Sequence, residues 1–298
     1  MISLTSAPRA SPATIDARRD ANTALATGTP SRAVRDYVSF SALSLYQRCS
    51  LRYFFRYVEQ LPEETTSASL VFGRAIHRAI EFHFRELLAG NESPDLDVLL
   101  AEFNDGWDET PTDQISFPKA DTRDSLAHLA DRVLTAFRAS DIAKPRGLIL
   151  GVEEELRGRV IDGAPELLAR IDLLGESDGT LTITDFKTSK SAWSADQATD
   201  SAEQLLLYAE LARQRFPGMP IRLEFIVFTK AKKVAIGRYE VALNAARVAR
   251  TKRIAQRVWR AITAGNFYPS PSPMNCGTCP YKEPCRRWTG YLAAIASS

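Results

Sequence analysis

The chain has 298 residues, 45% of them hydrophobic and 25% charged, the balance of a globular protein with room for one large or two small domains. Its formal net charge of +2 gives no global signature of polyanion binding, so nucleic acid would have to be held by local patches such as Arg48–Arg56, Lys230–Lys233 or Arg247–Arg260. No apolar run is long enough to cross a membrane and no secretory signal is recognised, so a cytoplasmic protein is expected.

Residues 1–35 are rich in Ala, Ser, Thr, Pro and Arg without sustained apolar periodicity and are read as a flexible tail, with a single folded domain over 36–298. Helical periodicity begins at 41–58, where Ser39 or Ser41 can cap and where aromatics interleave with Arg48, Arg52 and Arg56. That i, i+4, i+8 spacing fits a solvated stripe and equally the lining of a single-strand channel, in which aromatics stack bases and arginines hold phosphates. A second helix over 68–89 carries Gly73 and His77 one turn apart on the same face. A histidine in such an apolar stretch can be a packed core residue or a ligand. A third helical region spans roughly 97–140, inside a helical insertion expected over about 90–145.

Strands follow near 149–160, 166–175 and 180–187. The first holds Glu153, Glu154 and Glu155, of which alternation puts Glu153 and Glu155 on one face, and Glu153 is the preferred site acid. The next two form a hairpin with an acid on each arm, Asp172 and Asp185, while Asp185 and Lys187 share a face and Phe186 points into the opposite layer. Two carboxylates so placed repel unless a proton or cation lies between them, and hard oxygen ligands suit Mg²⁺ or Mn²⁺. A lysine beside that ion can hold an attacking water or offset charge on a phosphate oxygen. A helix then places Gln204 and Tyr208 on one face, strands follow at 221–229 and 233–242, and a long helix runs over about 243–264. The fold class is α/β, a central mixed β-sheet flanked by helices, with a helical N-terminal region and a C-terminal cysteine cap.

The four cysteines are Cys49, Cys276, Cys279 and Cys285. A chain of this size needs no disulfide staples, and a C-x₂-C-x₅-C run with Pro280 and Pro284 suits a metal cage in irregular loops, holding zinc or an iron–sulfur cluster.

Taken together these motifs resemble the PD-(D/E)XK nuclease superfamily, in its RecB-like branch that includes CRISPR-associated single-strand exonucleases. The resemblance rests on Gly73-x-x-x-His77, the acid at Glu153, Ala169-Arg170-Ile171-Asp172, Asp185-Phe186-Lys187 and Gln204-x-x-x-Tyr208. Ala169 stands where the family pattern has glycine. The resemblance implies a restriction-endonuclease-like core in which His77, Asp172, Asp185 and the Phe186 backbone carbonyl hold the ion. It makes Lys187 catalytic, lets Gln204 orient water or phosphate, and puts Tyr208 against the DNA backbone; Arg48, Arg52 and Arg56 join it at DNA on the channel reading of their helix. It also implies a 4Fe–4S cluster on the four cysteines in preference to Zn²⁺, closing the two chain ends together. The expected activity is a metal-dependent deoxyribonuclease, acting as an exonuclease on single-stranded or unwound DNA in repair or recombination with a helicase or similar partner. Two alternatives are a non-cleaving DNA-binding iron–sulfur module of a helicase–nuclease complex and a CRISPR adaptation nuclease.

Overall fold

The computed structural model describes residues 36–288, and the tail expected over 1–35 lies outside the described residues. A short strand β1 (Tyr37–Ser39) ends at Ser39, which caps helix α1 (Phe40–Arg48) by accepting the Ala42 amide at 3.3 Å. The chain is extended at Cys49, restarts as α2 (Ser50–Tyr53) and widens into a π-helical turn over Phe54–Val58. The helix expected over 41–58 is therefore interrupted at the cysteine, and Arg48, Arg52 and Arg56 do not lie along one straight face.

A two-residue strand β2 (Thr66–Ser67) leads into α3 (Ala68–Leu88), followed by α4 (Leu96–Asp108), β3 (Ile115–Ser116) and α5 (Arg123–Ala139). The helical region read as continuous over 97–140 is two helices, because Pro111 and Pro118 fall between them and cannot continue a helical ladder. The second half contains strands β4 (Leu148–Gly158), β5 (Glu166–Ser177) and β6 (Thr180–Ser189), then helices α6 (Ala195–Asp200) and α7 (Glu203–Arg215). Strands β7 (Ile221–Thr229) and β8 (Ile236–Val241) precede α8 (Ala245–Thr263), α9 (Pro273–Cys276) and α10 (Lys282–Arg287).

The hairpin of β5 and β6 closes through Asp178 and Gly179, both at positive φ (52° and 72°), the backbone that a tight two-residue turn requires. The main sheet is mixed and runs β1-β5-β6-β7-β8, with β4 also pairing β5. Strands β1 and β5 are parallel, as are β6 and β7; the other pairs are antiparallel. Alternation along β7 divides the core: Leu223, Phe225 and Val227 pack with α1, α7 and α8, whereas Ile226 and Phe228 pack with α3 and α5. The α/β architecture, a mixed sheet flanked by helices, is the one expected from the sequence. A buried carboxylate, Glu224, crosses three strands: it accepts the Thr184 hydroxyl at 2.8 Å and the Arg238 guanidinium at 2.7 Å, which offsets its desolvation.

Phe228 is fully buried between Phe137 and Phe186. Phe228→Ala is expected to lower unfolding stability by about 3–5 kcal/mol, measured by urea denaturation, without moving the site residues.

Candidate active site

One edge of β5 is occupied along its length by β4, so β1 and β6 must share the other. β1 pairs with Glu166–Leu168 and β6 with Leu173–Ser177, which leaves Ala169–Asp172 facing no strand on that edge. The site forms in this opening. The Tyr208 phenol from α7 comes against the Arg170 backbone, and the Asp172 carboxylate accepts the Phe186 amide at 2.7 Å from β6. His77 approaches from α3, with Nδ1 3.6 Å from Asp172 Oδ2 and its ring beside the Phe186 backbone. Gly73 permits that approach: a Cβ there would stand 3.3 Å from Thr188 Oγ1 on β6.

Ligand atoms of His77, Glu153 and Asp172 lie within 4.8 Å of one another, the only such group of three among the described residues. Glu153 reaches it from a left-handed backbone, φ 51°, a conformation that a non-glycine residue adopts only at a cost. The neighbouring acids take no part: Glu155 is exposed and accepts from Arg170 at 2.7 Å. Asp185 is buried beside the group, with one carboxylate oxygen in contact with Lys187 Nζ but accepting no well-directed hydrogen bond. That unsatisfied oxygen and the three-ligand group fit a divalent cation, since imidazole and carboxylates together accept Mn²⁺ as well as Mg²⁺.

The electrostatics agree. Burial and the Asp172 charge push the Glu153 carboxyl up to about 7, and burial with the nearby Asp185 charge likewise raises Asp172. Burial lowers His77 and keeps its imidazole neutral, the form that can ligate. Burial would lower Lys187 as well, but the charges of Asp185 and Asp172 outweigh it and hold the ammonium protonated. Tyr208 is pushed up to about 12 by burial and stays a neutral phenol, accepting from Gln204 Nε2 at 3.1 Å.

His77, Glu153 and Lys187 open on a cleft of about 990 Å³ whose walls carry Arg74, Arg170 and Lys230. A second groove of about 480 Å³ is lined by Tyr37, Arg56, Tyr57 and Tyr208 and shares Arg170 with the cleft. Of the three arginines expected at DNA, the structure puts Arg56 in this groove, where it also pairs with Glu63 at 3.0 Å. Arg48 is exposed near Arg52, whose Nε is buried without a partner. The sequence assigned no role to Arg170 or Glu81, and named Lys230 only within a basic patch. Arg170 adjoins Asp172 in the quoted motif, Glu81 lies one helical turn beyond His77, and Lys230 reaches the cleft only through tertiary packing, where it donates to Ser69 at 2.6 Å.

The four cysteines converge from the two ends of the described chain: Cys285 feels the charges of Cys49, Cys279 and Cys276, and three of the four pack around Leu51, Phe55 and Tyr281. Backbone and side-chain bonds reinforce the join, including Leu51 N–H to the Tyr268 carbonyl at 3.0 Å and Asn275 Nδ2 to the Arg48 carbonyl at 2.8 Å.

A sequence model of the PD-(D/E)XK nuclease superfamily matches residues 37–286. No curated protein matches the chain. Among solved structures, a candidate exonuclease from Eubacterium rectale shares the fold with a TM-score of 0.53 at 12% identity, covering 88% of this chain and 94% of its own. SSO0001 aligns at 12% identity over 81% of this chain and 93% of its own, with a TM-score of 0.33 that is too low to speak to the fold.

The raised acids set a pH dependence. Between the ordinary carboxylate value and about 7 the folded protein holds a proton on Glu153 that the unfolded chain releases. Its contribution to stability is therefore complete at low pH and lost as pH rises through about 7, where a divalent cation can take the proton's place. Mn²⁺ is expected to raise Tm more at about pH 8 than at about pH 5.5, and Glu153→Gln to shrink the difference. Equal shifts at both pH values would contradict this assignment.

Proposed function

The chain belongs to the PD-(D/E)XK nuclease superfamily, and from that premise we propose that it is a Mg²⁺- or Mn²⁺-dependent deoxyribonuclease that shortens single-stranded or unwound DNA from an end, in repair or recombination. The observation that carries the reading is the His77, Glu153, Asp172 group beside the Asp185–Lys187 pair at the mouth of one cleft. A divalent ion would be held by that group, with Asp185 and the Phe186 carbonyl adjoining, and when bound would supply Lewis-acid polarisation of a phosphate and make a water more acidic. Lys187 keeps its proton next to Asp185, so its ammonium orients the attacking water and offsets the charge that grows on the phosphate oxygens. Gln204, tied by its amide to Tyr208, orients water or phosphate from the α7 side. The place of Tyr208 in the lining of the second groove supports a contact to the DNA backbone.

Single-strand preference is supported by the groove that meets the cleft at Arg170. Its tyrosines offer stacking faces to unpaired bases, while Arg56 and Arg170, each paired with a carboxylate, flank them. At the cysteines the reading is a 4Fe–4S cluster. The unpartnered Arg52 Nε beside this cap favours an anionic occupant. A cluster there would staple α1–α2 to α9–α10. Its partners in the cell, a helicase or a recombination or CRISPR adaptation complex, would deliver the unwound end. Among the described residues no helix is long and apolar enough to cross a membrane, and a cytoplasmic location is part of the proposal.

End-labelled single-stranded DNA incubated with anaerobically purified protein should shorten with Mn²⁺ or Mg²⁺ and not with EDTA. Lys187→Ala should lower kcat by about 10²–10³-fold with little change in DNA affinity. Tight binding without shortening in any metal would leave the accessory-module reading instead. Cys279→Ala is expected to lose iron and the visible absorbance of a cluster and to lower Tm, because the link between the chain ends is released. An unchanged iron content would remove the cluster from the proposal.

A further inference from the structure

Helix α8 carries Arg247, Arg250, Lys252, Arg253, Arg257 and Arg260 and no acid. Two of these cations are engaged: Arg247 donates to the Thr199 carbonyl, and Lys252 pairs with Glu210 of α7 at 3.3 Å. The other four are exposed, and among the described residues none has an ion-pair or side-chain hydrogen-bond partner. At 3.6 residues per turn, positions 250, 253, 257 and 260 fall within about 80° of arc, and they span about 15 Å along the axis. A strand of duplex DNA advances about 3.4 Å per phosphate, so about four phosphates occupy that length.

The opposite face of α8, with Val248, Ala255, Val258, Trp259 and Ile262, is buried in the core. The helix therefore has no free apolar face to insert into a bilayer, as an interfacial membrane helix requires. An uncompensated row of guanidiniums instead complements a regular polyanion, and the fork of each guanidinium suits phosphate oxygens. α8 packs on α7, whose Gln204 and Tyr208 belong to the candidate active site.

We infer that Arg250, Arg253, Arg257 and Arg260 form a second, non-catalytic DNA-backbone site, which holds a segment of the substrate outside the cleft while its end is processed. The inference rests on the nuclease reading for the identity of the polyanion. The stripe makes binding independent of base sequence, steeply dependent on salt and dependent on substrate length.

The test is binding of a labelled single strand of roughly 30 nucleotides in EDTA, compared between the parent protein and a variant with all four arginines changed to Gln. The variant should keep its Tm, bind about tenfold or more weakly at 0.1 M salt, and show a slope of log Kobs against log salt shallower by about 3, the value for four lost phosphate contacts on a single strand. Cleavage of a strand of about 4 nucleotides, too short to reach α8 from the cleft, should be unchanged while KM for the long strand rises. Neutralising Lys119, Arg132, Lys144 and Arg146, exposed cations of the layer on the other sheet face, controls for net charge and should leave the slope in place. An unchanged slope in the α8 variant overturns the inference and leaves the stripe to an acidic protein partner. Because binding is read without metal, a chain that binds but never cuts would defeat the nuclease reading while the stripe still reported its own contribution.

Discussion

On the edge of β5 away from β4 two partners must share one strand, β1 at Glu166–Leu168 and β6 at Leu173–Ser177, so on that edge the residues between them meet no neighbouring strand. Buried peptide groups do not stay unpaired, and here the missing ladder is replaced by side chains. The Asp172 carboxylate takes the Phe186 amide, and the Tyr208 phenol, tied to Gln204, comes against the Arg170 backbone. The same substitution fixes the site. Each of these side chains is held where it stands by a backbone group that would otherwise be left unsatisfied. The opening also lets groups from both helical layers meet, His77 from α3 on one side and Gln204 and Tyr208 from α7 on the other.

Charge in this opening is unevenly matched. Lys187 answers Asp185, and Arg170 is divided between Glu153 at 3.7 Å and Glu155 at 2.7 Å. Asp172 accepts the Phe186 amide beside a neutral imidazole and feels the Lys187 ammonium, but burial and the charges of Asp185 and Glu81 outweigh them and raise its pKa. The uncompensated negative charge is thus concentrated on the Asp172 and Glu153 oxygens that face His77. In a protein without a cation these groups retain protons, and a divalent ion lowers the free energy of their ionised forms. The strained backbone of Glu153 points the same way: the local cost of a positive φ is borne to turn this one acid of three inward.

The hairpin, its two acids, Lys187, Gly73 with His77, and Gln204 with Tyr208 were legible because each depends on a local period: two along a strand, about four along a helix. What the sequence concealed lies in non-local geometry. Nothing in Tyr37–Ser39 announces a parallel pairing with Glu166–Leu168, yet that pairing is half of the fork. Alternation placed Glu153 and Glu155 on one face, but only the left-handed turn at Glu153 separates the acid that joins His77 from the acid that stays at the surface. The break at Cys49 and the π-helical turn after it were hidden inside a uniform apolar pattern, so an apparent stripe of three arginines was dispersed into different surroundings.

Net charge was equally uninformative, and for a physical reason. A total of +2 is the sum of segregated regions. Acids gather in the cleft and are partly protonated there, while α8 holds six cations and no acid. Salt screens exposed charges beyond about 8–10 Å, so a phosphate close to α8 interacts with the arginines of that helix and hardly at all with carboxylates on distant elements. The field that governs a polyanion is accordingly set by unpaired local cations. Arg78 shows the contrast, since its guanidinium is engaged by Glu102 at 2.9 Å and Glu109 at 2.6 Å, leaving little charge to offer a ligand. Pairing, which no composition reports, decides which cations of this chain can hold DNA.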